Sequence, residues 1–205
     1  MVRDPILVSV PIEELRPTQI TVGFLEVAEK RRHWASLPEE KREHFIASHM
    51  VPVLLGPKGR RYVTDHHHLV LALHREGAKR VAVTVIKDLS TLDKDAFWVF
   101  VDNRALCHPY NDQGVRVDFK DIPKSIDGLV DDPFRSLAGA LRRAGGYAKD
   151  TTPFAEFLWA DFLRRRIKRK AVEADFGAAV VDALSLAKSS AAKFLPGWCG
   201  ASSDD

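Results

Sequence analysis

Residues 78–89, AKRVAVTVIKDL, set Val81, Val83 and Val85 at a spacing of two, the period of a β-strand. Directly before it, HHHLVLALHRE (66–76) has helical character and meets Gly77, a residue suited to ending a helix. Before that again, RRYVTD (60–65) reads as extended chain. Strand, helix and strand in such close succession commit this stretch to a mixed α/β arrangement.

The flanking sequence supplies more of the same. ILVSVP (6–11) is short, β-branched and stopped by proline, which predicts a strand, and PIEELRPTQI follows as a turn-like connection. TVGFLEVAEKRRHWASL predicts a helix with Thr21 as its cap, and LPEEKREHFIASH a second one with Pro38 and acids at its start. VPVLLG, PKG and RRYVTD predict a β-hairpin, and DKDAFWVFVDNRAL a helix capped by Asp93. Beyond Leu106 turn formers take over, and after about residue 130 only helical patterns remain: PFRSLAGALRRAGG, TPFAEFLWADFLRRRIKRK and FGAAVVDALSLAKSSAAKFL. The expectation is an α/β domain over 1–110 and a helical region over 111–205, whose closing GASSDD frays.

Charge says little globally. Lys+Arg number 31 against 28 Asp+Glu, so no overall field demands nucleic acid; the local run RRRIKRK (164–170) is the basic feature to follow, and it also suits a helix C-terminus. The two cysteines, Cys107 and Cys199, form no CxxC motif or disulfide framework, which fits a reducing compartment. No apolar stretch reaches the ~20 residues of a membrane span. The N-terminal apolar run is interrupted by Pro5, Pro11 and two glutamates, unlike a signal peptide, so a cytoplasmic location is expected.

The chemistry centres on three consecutive histidines. A helix beginning after Asp65 turns unpaired amides and the positive end of its dipole outward, which suits an anion. His66, His67 and His68 would project about 100° apart, so at most two of them meet one ligand. Asp65 reads either as a helix cap or as an acid beside a phosphate. Zinc wants three or four converging ligands, commonly in i,i+3 or i,i+4 pairs, whereas His67 and His74 are two turns apart and no HExxH occurs. No resident metal is expected; Mg²⁺ arriving with a nucleotide needs few protein oxygens.

Strand, hairpin, then an acidic residue and histidine at a helix start is an order that resembles the ParB/sulfiredoxin superfamily, whose familiar motifs read DGHHR or GGCHR. The corresponding residues here are Asp65-His66-His67-His68-Leu69. VSVPIEELRPTQ is similar to the opening strand and L-x-P segment of those domains, and LHREGAKRVAVTVI to their continuation. The resemblance spans about residues 5–105 and is strongest to the ParB-like nuclease branch. It implies a small mixed sheet with helices that handles nucleotides and grips phosphate at the motif helix. Carried over, His67 and His68 become phosphate contacts and Asp65 the adjacent acid. The motif glycine is His66 here and its arginine is Leu69; no cysteine lies between Met1 and Leu106 for sulfinic acid chemistry.

The free-serine-kinase members use an upstream glutamate as base; Glu26 and Glu29 lie in the matching region, and Glu26 is ranked first. Lys30 can meet substrate charge or form a helical pair with Glu26. Asn103 and Arg104 follow a helix where nucleotide-binding members place ligand contacts. Cys107 and His108 are adjacent, a poor geometry for a nucleophile and its base. The resulting expectation is a nucleotide- or phosphate-binding protein, a phosphotransferase if an enzyme, with nucleotide and Mg²⁺ as cofactors. The alternatives are a non-enzymatic DNA-associated partition-type protein, with nucleic acid as partner, and a ParB-like nuclease.

Overall fold

The computed structural model describes residues 8–200. Ile6 and Leu7 of the expected first strand, and Ala201–Asp205 of the expected frayed tail, lie outside the described residues. The rest divides into two compact units, one of residues 8–22 and Val27–Val130, the other of Gly23–Glu26 and residues 131–200. The segment 111–130 thus groups with the α/β part, and the division falls at Val130.

The first unit is built on a five-stranded mixed sheet in the order β1-β6-β4-β5-β2. Its strands are β1 (Val8–Pro11), β2 (Leu15–Pro17), β4 (Val51–Leu55), β5 (Arg61–Val63) and β6 (Arg80–Asp88); a two-residue β3 (Thr21–Val22) lies outside this sheet. β6 runs antiparallel to β1 and parallel to β4. β5 returns antiparallel to β4 and runs parallel to β2. The expected hairpin is present, its turn at Pro57–Gly59 holding both Lys58 and Gly59 at positive φ.

β6 is buried on both faces at its start and open further on, and it carries a bulge just after Val85. Val81 and Val83 are buried, yet Val85 is 41% exposed. The register slips between Val53 and Leu54 of β4, which face Val85 and Lys87, so Ile86 is an extra residue that flips the pleat.

Helices α1 (Phe24–Ser36), α2 (Glu39–Ser48), α3 (His67–Arg75) and α4 (Lys94–Asn103) complete this part. Gly77, at φ 78°, closes α3, while its own amide and that of Ala78 bond His74 and Leu73 carbonyls. Asp93 caps α4 by accepting from the Ala96 amide at 2.8 Å, as expected. Pro38 sits at the N-cap of α2, with Glu39 and Glu40 in its first turn. Leu54, Tyr62, Phe97, Trp98, Val101 and Cys107 form a buried cluster against which Phe119 packs.

One expected cap is corrected. Thr21 is buried within β3, and α1 begins three residues later. The Phe24 amide instead donates to Asp131 Oδ1 at 2.7 Å and the Leu25 amide to Ser136 Oγ at 3.2 Å. Both acceptors group with Phe24 and Leu25 in the second unit.

The chain enters that unit through β7 (Val130–Asp131) and continues as α5 (Pro133–Arg143), α6 (Ala155–Arg164), α7 (Arg169–Ala174) and α8 (Phe176–Lys188). Asp132 caps α5 through the Phe134 amide, and Pro133 takes the first helical position. Trp159 is fully buried, stacks on Tyr147 at 4.4 Å and donates from Nε1 to the Pro196 carbonyl. Ala179, Ala183 and Ala187 are buried at a four-residue spacing, a smooth ridge that admits close helix packing. The long expected helix through Lys170 is two helices. It breaks after Arg164 because Ile167, 8% exposed, turns into the core.

Candidate functional site

β5 stops at Val63 and α3 starts at His67, so residues 64–66 must reverse the chain. His66 does so in the left-handed region, φ 65° and ψ 20°, at the N-cap and with no capping bond from its side chain. This is the position at which the resembling motif carries glycine, and the backbone explains why: a left-handed residue with a Cβ costs about 1–2 kcal/mol. Asp65 is exposed, and its Oδ1 accepts the His66 amide at 2.6 Å. It therefore engages the amide next to it, before the helix, instead of a first-turn amide in the manner of a cap.

The three histidines part company. His66 is exposed, His68 half-buried, and His67 only 3% exposed. His67 Nε2 accepts the Thr18 amide at 3.3 Å, which requires that nitrogen to be unprotonated. Thr18, itself buried, donates its hydroxyl to the Val63 carbonyl at 2.8 Å and accepts at its carbonyl from the His108 amide at 2.9 Å. One threonine so links the ends of β2 and β5, the first residue of α3 and the segment after α4.

That last segment brings in, beside His108 and Cys107, two side chains not singled out from the sequence, Tyr110 and Arg116. The His108 ring stacks on Tyr110 at 4.3 Å, and Arg116 lies 5.8 Å from the Tyr110 ring while bonding Asp102 at 2.6 Å. Cys107 Sγ sits 3.8 Å from Asp102 Oδ1. Burial, reinforced by that carboxylate, pushes the Cys107 thiol up to about 12, so it remains a protonated core residue at neutral pH.

The other expected residues are dispersed. Asn103 donates to the Val99 carbonyl of its own helix, and Arg104 is the exposed C-cap of α4. Lys30 is half-buried on α1. Glu26 groups with the second unit, whereas Asp65 belongs to the first. A Cβ added to Gly139 would come within 2.9 Å of Glu26 Oε2 and 3.5 Å of Arg143 Nη1, so the glycine makes room for both side chains.

Glu26 there joins a buried charge cluster. Arg135 is 4% exposed, its guanidinium lies 3.3 Å over the Phe157 ring, and its Nη2 is 3.8 Å from Glu156 Oε2. Burial depresses its pKa, opposed by Glu156, Asp132 and Glu26. Arg164 pairs with Asp132 and Asp161, and Arg142 with Glu156. Burial raises the pKa of Asp132 despite the Arg164 bond. Among the described residues no group of three or more His, Cys, Asp or Glu side chains is placed to hold a metal ion. No helix there is long and apolar enough to cross a membrane.

Known proteins resemble this chain at two levels. The family model described as "Putative ParB-like nuclease" matches residues 8–165. A crystal structure of protein Atu1540 from Agrobacterium tumefaciens is 52% identical, with 98% of this chain and 100% of that one covered at a TM-score of 0.92. The C-terminally truncated chromosome-partitioning protein ParB from Caulobacter crescentus, complexed with CTP-gamma-S, aligns over 90% of this chain and 93% of its own at 12% identity. Its TM-score is 0.30. No curated protein matches.

Proposed function

The chain belongs to the ParB-like nuclease family, and on that footing we propose that it binds a nucleotide or another phosphate-bearing small molecule at the start of α3. The observation that carries the reading is the turn at His66: a left-handed N-cap without a side-chain cap, beside an exposed carboxylate. A helix start of this kind favours anionic oxygen through its amides and dipole.

Where the side chains lie supports the following roles within this proposal. His68, half-buried in the first turn, is the histidine that meets the ligand. His67 holds α3 against Thr18 and acts by positioning. Asp65 is the acid of the site, and Glu26 stays with the charge cluster of the second unit. Should the reaction be phosphoryl transfer, the work is placement and charge neutralisation, with Asp65 accepting the proton of the attacking hydroxyl. Mg²⁺, when bound with a nucleotide, would neutralise phosphate charge while keeping most of its waters, which needs few protein oxygens.

Calorimetric titration of the full chain with CTP, ATP and inorganic phosphate, each with and without Mg²⁺, tests this. Saturable binding that falls about tenfold in His68→Ala, one lost phosphate contact, is the expected result. Absence of saturable heat with all three ligands rejects the proposal. Cleavage of plasmid DNA by the same preparation, without nucleotide binding, would favour the nuclease reading in its place.

A further inference from the structure

The basic run after α6 acquires a partner that its own sequence lacks. Within 164–170, Arg164 is committed to Asp132 and Asp161, and Arg169 pairs with Glu173 at 2.8 Å. Arg165, Arg166, Lys168 and Lys170 are exposed, and none of them is ion-paired among the described residues. The run therefore sorts into ion-paired cations and a remaining group of four whose charge no carboxylate of the described residues neutralises.

Near one member of that group, Arg166, lies an aromatic side chain in water. Phe194 is 75% exposed, the most exposed large apolar residue among those described. It reaches the basic group through Phe162: the Phe162 and Phe194 rings lie 6.2 Å apart, and the Arg166 guanidinium sits 3.8 Å from the Phe162 ring. Arg166 Nη1 also donates to the Phe162 carbonyl at 3.1 Å, which fixes the side chain over the ring. Lys193, beside Phe194 in sequence, is exposed as well.

Cations left over at a helix end are ordinarily a solvated face that complements the dipole. That account covers Arg165 and Arg166 but gives no reason for an exposed phenylalanine beside them. Exposed cations with a stacking ring at their side are the two components of a surface for single-stranded nucleic acid, phosphates on the former and a base on the latter. Duplex offers the phosphates but keeps its bases stacked on each other, so it engages the cations alone. An anionic lipid surface would likewise meet the cations.

We infer that Arg165, Arg166, Lys168, Lys170, Lys193 and Phe194 form a binding surface for single-stranded nucleic acid on the second unit. The inference does not rest on the reading of the α3 site.

Fluorescence anisotropy of the full chain with labelled single-stranded DNA and RNA oligonucleotides, with matched duplex and with phosphatidylserine vesicles as comparisons, tests the assignment. Phe194→Ala removes an exposed ring and leaves the core alone, so folding is preserved, and circular dichroism checks this. The expected result is roughly tenfold weaker single-strand binding in Phe194→Ala, the effect of one lost stack. The combined Arg165→Ala, Lys168→Ala, Lys170→Ala variant should flatten the slope of log K against log salt by about 2, at ~0.7 per phosphate contact on a single strand. Equal affinity of Phe194→Ala and wild type overturns the inference. So does binding to vesicles without binding to either oligonucleotide.

Discussion

His67→Ala separates a positioning histidine from a ligand-contacting one. Removing the ring leaves the Thr18 amide buried without its acceptor, which costs about 1–3 kcal/mol. Emptying a site only 3% exposed adds a cavity penalty on the order of 2 kcal/mol or more. Together they predict a loss of about 3–5 kcal/mol in the first unit. His67→Gln keeps an acceptor at a similar reach and should lose only about 1 kcal/mol, one imperfect hydrogen bond. Urea unfolding gives the energies, and hydrogen exchange at the Thr18 amide localises them. That amide should exchange slowly in wild type, somewhat faster in His67→Gln and fastest in His67→Ala. If His67→Ala unfolds within 1 kcal/mol of wild type, or Thr18 exchanges rapidly already in wild type, the Thr18–His67 bond is not what secures α3, and the division of labour between His67 and His68 fails with it.

Three other perturbations have defined outcomes. Gly23→Ala would bring a Cβ within 2.5 Å of Ser136 N and 2.8 Å of its Cα, backbone atoms that yield poorly, so a loss of about 2–3 kcal/mol is expected in chemical denaturation; an unchanged midpoint would refute the close approach of the two backbones. His66→Gly relieves a left-handed residue of its Cβ and should stabilise by about 0.5–1 kcal/mol after the added chain entropy of glycine, read as a higher melting temperature. Thiol titration of native protein near pH 8 should count one reactive cysteine, exposed Cys199, and two after unfolding, because Cys107 titrates only near 12; prompt reaction of both in the native state would contradict its burial.

Much of the first unit was legible because its signals are local. The Pro57–Gly59 turn, the Gly77 stop and the Asp93 cap each depend on a few neighbouring residues. The bulge at Ile86 was not, since it exists only relative to β4, and nor was the cap of α1, whose acceptors lie 107 and 111 residues downstream. At the site, the sequence placed three histidines at a helix start but did not say which one faces inward. Helical spacing does not separate His67 from His68: the one shares a face with Val70 and Leu71 and the other with Leu71 and Ala72, all wholly buried, so the choice is made by Thr18 from another element. Arg135 offered no such hint, because RSLAG reads as an ordinary helix and its burial is set by Phe157 and Glu156 from α6. Phe194 joined the basic run only through Phe162, again a tertiary fact.

The long-range cap on α1 has a bearing on how the chain is made. During synthesis the amides of Phe24 and Leu25 leave the ribosome well before Asp131 and Ser136 have been added. Until then the opening turn of that helix can be satisfied only by water. A nascent chain halted at Val130 should carry this turn frayed, and adding the next six residues should supply both acceptors.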